Sequence, residues 1–125
     1  MRAVVLALLA ACGGSEDPPV GEVDAPPGGS SIMEVTPCAG EAATVTADPS
    51  DQATMYMPPA TTITMGQIVK FELPAAHNVA PHPTMPSDPN LRVNFGQTKC
   101  FRFTMPGTFN FICTPHGFRG TVTVN

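Results

Sequence analysis

The stretch Phe111-Ile112-Cys113-Thr114-Pro115-His116-Gly117-Phe118-Arg119-Gly120-Thr121-Val122-Thr123-Val124 decides how this chain is read. It sets a thiol and an imidazole three positions apart, in a tight loop punctuated by Pro115 and Gly117. The flanks read as strands. Phe109, Phe111 and Cys113 fall on a common face before the loop, and residues 120–124 form a β-branched run after it. A second imidazole, His77, stands well upstream on its own strand-like segment. Two ring nitrogens and one thiolate, drawn from separate strands, are a donor set for a transition metal.

Working back from the loop, the same punctuation recurs. Lys99-Cys100-Phe101-Arg102-Phe103-Thr104 alternates, with Phe101 and Phe103 facing one way, and Pro106-Gly107 makes the next turn. Ile68-Val69-Lys70-Phe71-Glu72-Leu73 places Val69, Phe71 and Leu73 on one face and Lys70 and Glu72 on the other, the pattern of a half-buried strand. Residues 32–36, 43–47 and 61–65 read as further strands, the last closed by Gly66. Residues 74–98 carry Pro74, Pro81, Pro83, Pro86 and Pro89, which forbid long strands there. Roughly seven to eight short strands at turn-punctuated spacing predict an all-β Greek-key sandwich over residues 32–125.

Composition agrees. Among 125 residues there are 15 Pro and 11 Gly but no Trp, and helix-favouring runs are scarce. The net charge of −4 argues against a nucleic-acid partner, whose phosphates demand a basic surface. No apolar run reaches the length of a membrane-spanning helix.

The N-terminus predicts export. Met1-Arg2 is a minimal positive region, followed by an apolar run to Ala11, so residues 1–11 read as a signal peptide. Leu9-Ala10-Ala11-Cys12 resembles the bacterial lipobox, in which the Cys is acylated and becomes the mature N-terminus. Residues 12–31 then form a lipidated Cys12 and an acidic Pro/Gly-rich tether, with too little apolar surface to fold. The expectation is a periplasmic or cell-surface lipoprotein that meets a bacterial membrane through its lipid alone.

Four Cys residues remain to be assigned. If Cys12 carries lipid and Cys113 binds metal, Cys38 and Cys100 are left as one disulfide pair in an oxidising compartment. Such a bridge contributes on the order of 3–4 kcal/mol by loop-closure entropy. A Cys100–Cys113 bridge competes and would abolish the metal site.

Around these residues the sequence is similar to the cupredoxins, the blue-copper electron carriers that include plastocyanin and amicyanin. The resemblance runs through Met65-Gly66-Gln67-Ile68-Val69, His77-Asn78-Val79, Gly96-Gln97-Thr98, Met105-Pro106-Gly107-Thr108-Phe109 and the Cys113 loop, in the family's order. It implies that His77, Cys113 and His116 are the equatorial ligands of one type 1 copper. It also implies that Asn78 clamps the ligand loop towards Thr114. In the family a weak axial Met stands a few residues after the second His. Here Phe118 runs directly into Arg119-Gly120, and no Met follows Met105. Three readings follow: a three-coordinate site capped by Phe118 or a neighbour, an axial Met85 reaching in from elsewhere, or lost redox function.

The remaining chemistry-bearing residues read plainly. His82, in Pro81-His82-Pro83, lacks ligand-type spacing and reads as structural or surface. Met33, Met55, Met57, Met65, Met85 and Met105 are scattered, which suits core packing. Zinc at the three ligands is the minor reading. Glu34, Glu41, Asp48, Asp51, Glu72 and Asp88 show no pairing for acid–base catalysis and read as solvated. Three His residues are too few for a blue site and a second catalytic copper, so no enzyme is expected.

The function that follows is single-electron shuttling between redox proteins, with a partner docking near His116 and Phe118. The alternatives are a copper-binding or delivery module and a redox-inactive sandwich.

Overall fold

The structure, a computed structural model, describes residues 30–125. The expected signal segment, Cys12 and nearly all of the acidic tether lie outside the described residues. Nine strands are present among the described residues: β1 (Ile32–Val35), β2 (Glu41–Ala47), β3 (Tyr56–Met57), β4 (Ala60–Ile63), β5 (Ile68–Glu72), β6 (Ala80–Pro81), β7 (Thr98–Phe103), β8 (Gly107–Ile112) and β9 (Arg119–Val124). The sequence predicts seven to eight; the two-residue β3 and β6 are too short to leave a periodic signal.

The strands form two sheets, ordered β1-β7-β5-β2-β3 and β4-β9-β8-β6. β2 pairs parallel to β5, and β4 parallel to β9, while the other ladders are antiparallel. These crossing connections are those of a Greek-key sandwich. The alternating faces meet between the sheets as the pattern demands. Val69 and Phe71 of β5, Phe101 and Phe103 of β7, and Phe109 and Phe111 of β8 are all buried. Phe71 meets Phe111 edge-on at 5.4 Å, and Phe103 meets Phe109 at 5.1 Å, so aromatic contacts join the two sheets.

Cys38 and Cys100 form the disulfide, 62 positions apart, and Cys113 is free and buried, so the competing bridge is not made. The stretch 74–98 is irregular, yet it supplies Val79, Leu91 and Val93 to the core, with Val79 and Val93 exchanging backbone hydrogen bonds.

Two expectations fail. Asp88 is not solvated: it is buried, and its carboxylate accepts from the Ser30 hydroxyl (2.9 Å) and from the amides of Ser31 (2.7 Å) and Asn90 (2.8 Å). Those donors offset the cost of burying its charge, and they tie Ser30 and Ser31 to the domain. Nor do the methionines pack the core. Met33, Met55, Met57, Met65, Met85 and Met105 are each between 42 and 57% exposed. They occupy outward strand positions and turns. Met33, for example, lies opposite Arg102 in the β1–β7 ladder, between inward-facing Ile32 and the next strand residue.

Because β2 and β5 run parallel, the loops leaving both emerge at one end of the sandwich. The β8–β9 loop closes over the same end, where His77, on the loop after β5, meets residues from the other two.

Candidate metal centre

The β8–β9 loop is shaped by its own backbone. The Gly117 amide donates to the Cys113 carbonyl (2.7 Å), and the Cys113 amide donates to the Phe118 carbonyl (2.9 Å). The turn needs Gly117 at φ 77°, a left-handed conformation that a side chain would strain. Between these closures Cys113 Sγ points inward and His116 folds back towards it, with Nδ1 3.5 Å from the sulfur.

His77 completes the group from below. It is fully buried, with Nδ1 3.6 Å from Cys113 Sγ and 3.2 Å from His116 Nδ1. Its Nε2 faces two carbonyls, Asp48 at 2.8 Å and Ser50 at 3.1 Å. Carbonyls only accept, so the proton sits on Nε2 and the Nδ1 lone pair is free to bind a metal.

The three donor atoms fit one ion. A triangle with sides of 3.2, 3.5 and 3.6 Å has a circumradius of about 2.0 Å, close to ordinary metal–imidazole bonds and a little short of metal–thiolate ones. His77, Cys113 and His116 are the His/Cys/Asp/Glu group of ligand-binding proximity among the described residues. Two imidazoles and a thiolate in a trigonal set suit copper in both oxidation states.

Asn78 reaches across to the ligand loop. Its side-chain oxygen accepts from the Thr114 amide (2.9 Å), with the Thr114 hydroxyl at 3.4 Å. Its backbone carbonyl accepts from the Tyr56 hydroxyl at 2.6 Å. Tyr56 had no place in the sequence reading, although it is the chain's single tyrosine and precedes a Met-Pro-Pro break. It is fully buried, and its ring meets Phe111 and Phe118 edge-on at 4.8 Å each. Burial, with a smaller contribution from Cys113, pushes its phenol well above the ordinary range, so it remains a donor.

Phe118 corrects one expectation. At 9% exposure it is part of the interior rather than a docking surface. Its ring lies edge-on to His77 at 5.2 Å and nearly parallel to His116 at 6.1 Å. Met85 is not directed at the centre: it is exposed, with its sulfur 3.8 Å from Arg119 Nη1. His82 is structural, as expected, its Nδ1 facing the amides of Thr84 and Met85 at 3.2 Å.

Comparison with known proteins agrees with this geometry. A family model described as copper binding proteins, plastocyanin/azurin family, matches residues 43–125. Among solved structures, the chain is similar to a reduced tryptophan-to-tyrosine mutant of amicyanin, with 23% identity, a TM-score of 0.59, and coverage of 76% of this chain and 99% of that one. It is also similar to amicyanin from Paracoccus versutus (Thiobacillus versutus), at 22% identity and TM-score 0.58, covering 77% and 99%. The Cu(I) form of a methionine-to-alanine amicyanin mutant gives 26% identity and TM-score 0.55, covering 77% and 93%. No curated protein sequence matches.

Proposed function

Since this chain belongs to the plastocyanin/azurin family of copper-binding proteins, we propose that it holds one copper on His77, Cys113 and His116 and carries single electrons between redox partners at the cell envelope. The observation that carries this reading is the donor triangle, in which the loop after β5 and the β8–β9 loop bring three donor atoms to one point. Bound copper supplies a one-electron couple, and the rigid set of two imidazoles and a thiolate keeps its reorganisation small.

The protein's own part is to hold the ligands still. Asp48 and Ser50 orient His77, and Asn78 holds Thr114 beside Cys113. Phe118 packs its ring against both imidazoles and would shield a bound copper on that side, and the loop carries no Met to offer a fourth donor. With no fourth donor, bound Cu(II) would be the less stabilised state, and a higher reduction potential than that of a Met-ligated site is expected. Electrons enter and leave across the exposed His116 ring, and the partner docks on His116, Pro115 and Gly117. Transient redox encounters use small interfaces. Export and acylation at Cys12 would tether the domain to a membrane, consistent with the disulfide.

Adding Cu(II) to the purified protein tests the proposal. An intense visible thiolate-to-copper charge-transfer band with fast electron self-exchange is expected, and a colourless complex overturns it. A second reading, copper delivery, is favoured by the six exposed thioethers; facile release of copper to an acceptor would support it.

A further inference from the structure

The exposed methionines are unevenly placed in a way that packing does not explain. Leu73, Leu91, Ile32, Ile63 and Ile68 are all buried, while each of the six described methionines is about half exposed. Methionine is ordinarily a core residue. Two of the six flank a single inward side chain. Tyr56 of edge strand β3 is buried, while Met57 beside it in β3 and Met55 in the bend just before the strand are both exposed. Both line one open groove of about 410 Å³, together with Asp48, Ser50 and Gln52. Asp48 and Ser50 are the residues whose carbonyls hold His77.

We propose that Met55 and Met57 form a second, surface site for Cu(I), in which two thioethers hold the ion in the groove beside the His77–Cys113–His116 centre. Thioethers are soft donors that select Cu(I) over Cu(II) and over hard cations. The Asp48 carboxylate, in the same groove, supplies a compensating negative charge. The site presents copper to the His77–Cys113–His116 centre. On transfer, bonds to the two thioethers break, bonds to one thiolate and two imidazoles form, and the Cys113 thiol proton passes to solvent. No electron moves. The transfer rests on the copper reading of the centre; the groove site does not.

The test separates the two. Cu(I) is titrated anaerobically into the full chain against a chromogenic Cu(I) chelator, and the methionine methyl resonances are followed. Wild type should take two equivalents. Cys113→Ser should keep one, with shifts confined to the Met55 and Met57 methyls. Met55→Leu/Met57→Leu preserves volume, so its fold and Cu(II) charge-transfer band should be unchanged. It should lose the second equivalent, weakening that site about tenfold or more, and load its centre more slowly. A single equivalent in wild type, or a second one that survives the double substitution, overturns the proposal. Failure of the centre would appear separately, as loss of the wild-type Cu(II) band.

Discussion

The β8–β9 loop and the segment 48–56 close on His77 from two sides by different means. The loop acts through side chains: Cys113 and His116 bring donor atoms, and Phe118 brings a ring. The segment 48–56 brings two carbonyls, from Asp48 and Ser50, and the phenol of Tyr56, which reaches the Asn78 carbonyl. One wall supplies the chemistry. The other decides which nitrogen of His77 carries its proton and how firmly the strand beside it is held. Substitutions in the two walls should therefore fail differently, and four of them test the distinction.

The largest effect belongs to Cys113→Ser, which removes the thiolate. The charge-transfer band should vanish, and with it the rise in Tm that copper confers by binding only the folded state. The unfolding midpoint of the metal-free protein should move little, because the carbonyls that hold His77 remain. A large fall in metal-free stability would mean that the loop is also a structural wall.

Next comes Gly120→Ala, where the walls touch. Gly120 opposes Phe111 in the β8–β9 ladder. A Cβ there would overlap the Phe111 ring and approach Tyr56 Cδ2 to 2.9 Å. Overpacking of this kind costs about 1–3 kcal/mol in urea denaturation. Both rings must shift, so the copper band should broaden or move as well. An unchanged spectrum beside lowered stability would show that the rings pack the sandwich without positioning the centre.

How far each wall was legible follows from the same contrast. The loop could be read because Cys113 and His116 are scarce, reactive residue types at a fixed spacing, and the strands because Phe71, Phe103 and Phe111 alternate. The carbonyls of Asp48 and Ser50 leave no signal in the sequence, since every residue owns a carbonyl and none advertises its direction. Tyr56 was missed because β3 is two residues long and leaves no period to detect. Asp88 looked solvated because its donors, Ser30 and Ser31, lie 58 and 57 positions away. The methionines misled by type: hydrophobicity predicts burial, whereas their strand phase places them outside. The sequence offers Phe118 only as one candidate for the axial side, and its near-parallel packing on His116 depends on the closed loop.

Tyr56→Phe sharpens the view of the silent wall. It deletes the 2.6 Å bond to the Asn78 carbonyl and keeps the aromatic contacts with Phe111 and Phe118. A lost hydrogen bond with a partner left in a largely buried setting costs about 1–2 kcal/mol, measurable by urea denaturation. The copper band should persist, since no donor atom is touched. Its loss would promote Tyr56 from supporting the strand to organising the centre.

The smallest expected change in stability is that of Asn78→Ala, the residue through which the two walls communicate. Its side-chain oxygen holds the Thr114 amide from the loop, while its backbone carbonyl takes the Tyr56 hydroxyl from the other side. Thr114 is exposed, so water replaces the missing acceptor and the cost stays near 1 kcal/mol or below. The backbone bond to Tyr56 survives the substitution, which isolates the clamp on the loop. Thr114 adjoins Cys113, so a loosened loop should shift the reduction potential and broaden the charge-transfer band more than the stability change alone would suggest. Asn78→Asp keeps an acceptor at the same place and should restore the stability, with any remaining shift in potential reporting the added charge. If neither substitution moves the spectrum, the hydrogen bond to Thr114 serves only to close the loop, and the ligand geometry is set entirely by the backbone turn at Gly117.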